Sequence, residues 1–176
     1  ILARELPKGA GYLGVDAAKS LIQKAKGYSK HRFIVGDVTK PLNLEKNDFS
    51  HAFFILSLQN MEEGEKAILN GAKYLRAKGK MVLILNHPCF RIPRQSSWGV
   101  DEGKKMQYRR IDRYFSPLEV PIQMNPSQKE NSKQTFSYHQ PISTYVSWMI
   151  KSGLSVTKLE EWRSHKMSTG KWAKME

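Results

Sequence analysis

The feature that most restricts this chain is a pair of short apolar runs that each end on an acid, Tyr12-Leu13-Gly14-Val15-Asp16 and Phe33-Ile34-Val35-Gly36-Asp37, with a helical stretch between them. Runs of this length read as strands, and a strand, helix, strand order implies parallel pairing with the helix packed on the sheet. In an open α/β sheet, ligands bind outside the carboxyl ends of the strands, where an acid accepts hydrogen bonds from both hydroxyls of a ribose. Asp16 is placed for that role. Asp37, at the tip of the neighbouring strand, is placed to accept from an exocyclic amino group, because a carboxylate offers only acceptors. The competing reading is local, since such acids also cap the helix or turn that follows.

The alternation continues downstream. Ile1 to Leu6 reads as the end of a helix, broken by Pro7, Gly9 and Gly11. The helix between the acidic strands carries Leu21, Ile22 and Ala25 on one face and is expected to stop at Gly27. Phe49 to Leu58 is almost continuously apolar, as a strand buried on both faces should be. Glu62 to Lys78 reads as a helix with acids in its first turn, an apolar stripe of Ala67, Ile68, Ala72 and Leu75, and Gly79 beyond its end. Met81 to Leu85 is the next buried strand, closing at Asn86. The pattern then breaks down for about fifty residues, longer than connections in compact domains usually run, and excursions of that length are often lids. Five prolines and the polar run Asn125 to Thr135 imply that part of it is mobile. Order returns at Phe136 to His139, followed by a helix opened by Pro141 and stopped by Gly153. Leu154 to Leu159 alternates into Glu160-Glu161-Trp162 and reads as a further strand.

In order and spacing these elements resemble the class I S-adenosylmethionine-dependent methyltransferases (methyltransferase type 11-like). That family shows Gly-Val-Asp at its second strand and Gly-Asp-Val at its third, as at Gly14 to Asp16 and Gly36 to Val38. The resemblance runs on through Asn47-Asp48-Phe49-Ser50-His51-Ala52 and the Lys78-Gly79-Lys80 turn. It implies an α/β fold, a Rossmann-like three-layer sandwich with a mostly parallel sheet and a lid-like insertion after the fifth strand. It further implies one domain over residues 1–176, with 87–139 as the lid or substrate-binding insertion. The family's first strand with its glycine-rich loop is expected before Ile1 and its closing strand after Glu176, so the chain reads as truncated at both ends. The implied cofactor is S-adenosyl-L-methionine, with Asp16, Ala17, Asp37, Val38, Leu56 and Ser57 as binding residues.

Methyl transfer from a sulfonium is an in-line displacement, so the protein mainly has to hold the acceptor in a near-attack geometry. A hydroxyl acceptor also profits from a general base, and histidine suits because it titrates near neutrality. His87, just past the fifth strand, and His139, between the excursion and its following helix, are the candidates; the alternative for each is a hydrogen-bonded structural residue. His31, His51 and His165 read as loop or surface residues. For the acceptor, Gln59 and Asn60 follow the fourth strand, although they serve equally to cap the next helix. The excursion adds Arg91, Arg94, Trp98, Tyr108, Arg110 and Tyr114, which suit a carboxylate or phenolic ligand.

Composition sets the remaining bounds. A formal charge of +13 favours anionic partners without identifying one. The densest basic and aromatic cluster, Lys104 to Phe115, reads either as a nucleic-acid or acidic-substrate surface or as a solvated face. No run approaches the roughly 18 apolar residues of a membrane span, and the single Cys89 excludes an internal disulfide and agrees with a reducing, cytoplasmic setting. Metal ligation is not expected, because no His or Cys pair has ligand spacing. Tyr74 to Lys78 matches the Tyr-x-x-x-Lys pair of short-chain dehydrogenases without their upstream serine, and Asn86-His87-Pro88-Cys89-Phe90 lacks the first proline of the Asn-Pro-Pro-Tyr motif of amino-methylating nucleic-acid enzymes. The expected partner is a small-molecule methyl acceptor, anionic by the arginines, with an oligomeric state that the residues do not reveal. Two rivals remain, an NAD(P)-dependent oxidoreductase whose ribose Asp16 would serve equally, and an RNA-binding or RNA-methylating protein.

Overall fold

In a computed structural model, the structure describes residues 2–44, 47–123 and 134–163. A short helix α1 (Leu2–Glu5) precedes β1 (Leu13–Asp16), α2 (Lys19–Tyr28) and β2 (Arg32–Val35). Then come β3 (Phe49–Ile55), a 3-10 turn at Leu58–Asn60, α3 (Gly64–Lys73) and β4 (Leu75–Ile84). The excursion holds β5 (Ser96–Asp101), β6 (Met106–Ile111), β7 (Leu118–Gln123) and β8 (Gln134–His139), and α4 (Ile142–Lys151) follows.

β1 pairs in parallel with β2, and β3 in parallel with β4. These two parallel pairs are not hydrogen-bonded to one another. The core is built on the second pair: Phe54, Leu58, Ala67, Ile68 and Tyr145 are buried together, with Val38, Met81, Leu83, Trp148, Met149 and Leu154 packed around them. Period sets this arrangement, since alternate residues of a strand share one face and i, i+4 positions of a helix another. α3 and α4 thereby meet over one face of β3–β4. At their crossing a Cβ on Gly64 would stand 3.0 Å from the Trp148 ring, so only glycine fits without moving the indole.

α4 behaves as its sequence implies. Pro141 takes the N-cap position with φ −65°, and the far end closes as a Schellman turn. Gly153 sits at φ +79° and donates to the Ile150 carbonyl at 3.0 Å, while Leu154 donates to Met149 at 3.0 Å and packs on the core.

Elsewhere the fold departs from the expectations. The helix expected to end at Lys78 ends at Lys73, because the backbone N–H of Phe49 takes the Tyr74 carbonyl at 3.0 Å and Leu75 pairs with Phe49 across the ladder. Pairing captures the last apolar residue of the helical stripe. From Phe49 to His51 the partner strand advances from Leu75 to Lys80, so the Lys78-Gly79 turn survives as a bulge inside β4, with Lys78 at φ +59°. α2 runs through Gly27 to Tyr28, and of its expected stripe Ile22 is buried whereas Leu21 is 51% exposed. β3 is covered on one face only: Phe54 is buried, but Phe53 and Ile55 on the other face remain about 40% exposed. The excursion is not irregular, since β5–β6 and β7–β8 are antiparallel hairpins. Residues 154–163 form no strand, for no described strand lies beside them to complete a ladder. The expectation of a mobile polar run falls mainly on residues 124–133, and those for His165 and the basic tail on 164–176; both lie outside the described residues.

Candidate functional site

The carboxyl ends of the parallel strands gather most of the residues singled out above. Asp16 is the last residue of β1, and its carbonyl receives the Gly36 N–H at 3.0 Å, which aligns the ends of β1 and β2. One carboxylate oxygen, Oδ1, accepts the Ala18 N–H at 2.7 Å. Oδ2 takes no hydrogen bond from a described residue, so half of its acceptor capacity faces outward beside exposed Ala17. Asp37 accepts both the N–H and the hydroxyl of Thr39 on Oδ1, at 3.0 and 2.7 Å, and Lys40 approaches Oδ2 at 3.5 Å. The Thr39 hydroxyl and N–H, followed by the Lys40 charge, hold the Asp37 carboxyl below its ordinary value. The local reading of these acids therefore holds, and it leaves Asp16 free acceptor atoms. Next to Asp37 an open cleft of about 430 Å³ is lined by Thr39, Lys40, Pro41, Glu63, Lys66, Leu69 and Asn70. Asn70 donates to the Val38 carbonyl at 3.0 Å, fixing the loop that forms its wall.

β3 ends in a strained residue. Leu56 has φ +50°, a left-handed conformation that costs a branched side chain roughly 1 kcal/mol. Two bonds hold it there: its N–H donates to the Ile84 carbonyl at 2.8 Å, and its carbonyl accepts from Asn60 Nδ2 at 3.3 Å. The effect is to turn a half-exposed leucine and Ser57 outward at the ligand edge. Gln59 is buried, and its amide donates to the Asn86 carbonyl at 3.0 Å and accepts the Asn86 N–H at 2.8 Å. It clamps the ends of β3 and β4 together. Tyr145 packs beside it, and burial pushes that phenol up to about 12, partly offset by the Gln59 amide. Asn60, by contrast, is exposed.

The two candidate histidines differ. His87 Nδ1 accepts the N–H groups of Cys89 and Phe90 at 3.1 and 3.3 Å, which assigns its proton to Nε2, and Nε2 donates to Glu161 at 2.6 Å. Both of its ring nitrogens are engaged. His139 is 3% exposed and bonds the Tyr114 carbonyl through Nε2 at 2.8 Å, so its proton lies on Nε2 and Nδ1 is its acceptor atom. β8, which carries His139, lies against the Leu58–Asn60 turn. Tyr114 also accepts the Ile142 N–H on its hydroxyl at 3.2 Å, tying the hairpins to α4.

On the β5–β6 hairpin, Tyr108 is half-exposed and lies so close to Gly99 that a Cβ there would stand 2.4 Å from its ring. Arg110 pairs with Asp112 at 2.5 Å, which raises its pKa, and Arg91 and Arg94 are exposed. Arg109, Glu161 and Asn86 were not legible as site residues, because each acts through a partner distant in sequence. Among the described residues no three His, Cys, Asp or Glu side chains gather as a metal site. No helix among them is long and apolar enough to cross a membrane.

Residues 1–83 match the family profile described as a methyltransferase domain. Among solved structures, an S-adenosylmethionine-dependent methyltransferase from Mesorhizobium loti superposes with a TM-score of 0.70 at 24% identity, over 88% of this chain and 68% of that one. A Listeria monocytogenes protein assigned to the same class gives 0.62 at 18%, over 81% of this chain and 62% of that one. An S-adenosylmethionine-dependent methyltransferase from Clostridium acetobutylicum gives 0.59 at 12%, over 93% and 72%. At these identities the likeness establishes a Rossmann-like fold. No curated protein matches the chain.

Proposed function

We propose that this chain, whose residues 1–83 match the profile of a methyltransferase domain, is an S-adenosylmethionine-dependent enzyme that methylates a small molecule at the carboxyl edge of its parallel strands. One observation carries this reading. Within the matched residues, two carboxylates close adjacent parallel strands, and one keeps an oxygen that takes no hydrogen bond from a described residue. Free acceptor atoms on Asp16 suit the vicinal hydroxyls of a ribose, and the cleft beside Asp37 and Val38 suits a flat base. Ala17, Leu56 and Ser57 complete the rim that would hold the cofactor.

Held by Asp16, Ala17, Asp37, Val38, Leu56 and Ser57, S-adenosylmethionine would supply an electrophilic methyl group on a sulfonium, with a thioether as the leaving group, to an acceptor such as a hydroxyl. The chain's own residues then have three tasks. Gln59 holds the ends of β3 and β4 in register, which keeps Leu56, Ser57 and Asn60 where the acceptor must approach. Asn60 hydrogen-bonds the acceptor. His139, whose Nδ1 carries no proton, takes the hydroxyl proton, while His87, with both nitrogens bonded, positions the edge after β4. Residues 87–139, the two hairpins, act as a lid within one domain, with Arg91 and Tyr114 toward the acceptor. The single Cys89 supports a cytoplasmic setting.

The test is calorimetric titration of S-adenosylmethionine and of NAD into the chain, with Asp16→Ala as control. Saturable binding of the methyl donor that weakens at least about tenfold in the variant is expected, the scale of one lost charge-assisted bond. Preference for NAD would overturn the reading.

A further inference from the structure

Two polar atoms of the β5–β6 hairpin are shut off from solvent and yet bond nothing among the described residues: Arg109 Nε and Gln107 Oε1. They stand two residues apart on β6 and so share one face, with Trp98 directly opposite Arg109 across the ladder. Enclosed donors and acceptors are nearly always satisfied, so an unspent N–H beside an unspent carbonyl calls for a partner bearing one acceptor and one donor. The rest of the Arg109 guanidinium is held in place, Nη2 donating to the Phe90 carbonyl and to Ser96 Oγ at 3.0 Å. No carboxylate among the described residues neutralises it. The Trp98 indole lies over this cation at 5.1 Å and is itself 46% exposed.

The patch is tied to the ligand edge. Phe90, which receives Arg109, donates its N–H to His87 Nδ1 at 3.3 Å and sets its ring 4.6 Å from the imidazole, directly after β4. Exposed Arg94 and Arg113 flank the base of the hairpin, where Asp112 N–H meets the Gln95 carbonyl at 2.8 Å. The nearby acids are spent or remote: Asp112 pairs with Arg110, while Asp101 and Glu102 belong to the far tip.

We propose that the methyl acceptor is a planar organic acid carrying a hydroxyl or amine, bound on this hairpin with its carboxylate on Arg109, its donor on Gln107 and its ring against Trp98. This rests on the methyltransferase reading above. Because the two polar atoms are enclosed, the ligand reaches them by displacing the half-exposed indole, which makes Trp98 the cover of the subsite. A carboxylate matches the guanidinium in charge and geometry, and the flat ring matches the indole.

The experiment is calorimetry of the full chain without cofactor, using benzoate, 4-hydroxybenzoate, salicylate and anthranilate, with 4-hydroxybenzamide as the uncharged control. At least one hydroxy- or amino-acid is expected to bind at least about tenfold more tightly than the amide and than benzoate, in line with charge-assisted bonds. Gln107→Leu should remove the preference over benzoate at an unchanged melting temperature. Arg109→Lys should remove the preference over the amide. Failure of every acid to bind below about 10 mM, or binding that both variants leave intact, overturns the proposal, as does displacement of the acids by an RNA oligonucleotide that alone binds tightly. A parallel titration with S-adenosylmethionine separates the two readings: donor binding without acid binding sinks this proposal alone, and acid binding without donor binding sinks the methyltransferase reading.

Discussion

The parallel half, residues 2–86, and the hairpin region, residues 87–139, solve the same problem in opposite ways. In the first, α3 and the β3–β4 pair, joined by α4 from beyond the hairpins, enclose a shared core, and Ala67 and Ile68 are fully buried. Its site residues sit at strand ends, so the backbone ladder decides where they go. In the second, each hairpin pairs with itself, and large apolar groups stay exposed, among them Trp98 at 46% and Phe115 at 83%. Its positions depend on side chains reaching distant backbone carbonyls, Arg109 to Phe90 and His139 to Tyr114. An isolated two-stranded hairpin is marginal in water. The lesson is a division between a half fixed by a shared core and parallel ladders and a half whose strands pair only within their own hairpins.

The comparison can be broken most sharply in the core. Ile68→Ala should cost about 2–5 kcal/mol in chemical denaturation, whereas Val100→Ala on the hairpin should stay within about 0.5 kcal/mol. Comparable losses at both sites would mean that the halves share one core. The next largest effect is alkaline. A folded-state Tyr145 raised from 10.0 to about 12 keeps its proton more tightly than the unfolded chain. Its contribution is therefore fully present below pH 10 and is lost as pH rises toward 12, a change on the order of 2–3 kcal/mol. Denaturation curves measured from pH 9 to 12 should show this slope in the parent and lack it in Tyr145→Phe. Gln59→Leu strands the Asn86 N–H and carbonyl and should cost about 1–3 kcal/mol. It should also weaken binding at the strand edge; unchanged stability would show that the clamp is dispensable. The smallest effect belongs to Asp37, whose lowered pKa makes its stabilisation present above the ordinary 3.8 and lost as pH falls through the folded value. Asp37→Asn should flatten that part of an acid titration, and an unchanged profile would show that the Thr39 turn contributes nothing.

How far the chain was legible follows the same divide. The acid-ended strands, the α/β class and the Pro141 to Gly153 helix were readable because each rests on neighbours a few residues apart. The start of β4 was misread because Leu75 satisfies both a helical stripe and a strand, and pairing with Phe49 prevailed over helical propensity. The excursion read as irregular because hairpins with mixed polar and apolar faces leave weak periodicity.

By itself the sequence determined where carboxylates close the parallel strands and how α4 opens and stops. Tertiary structure alone decided which side chains are spent and which are available. Gln59 meets Asn86 across 27 positions and His87 meets Glu161 across 74. No local pattern encodes such partners, because a hydrogen bond between remote residues depends on how the strands and helices pack, and that packing selects the tautomer of His87, the burial of Tyr145 and the unspent atoms beneath Trp98.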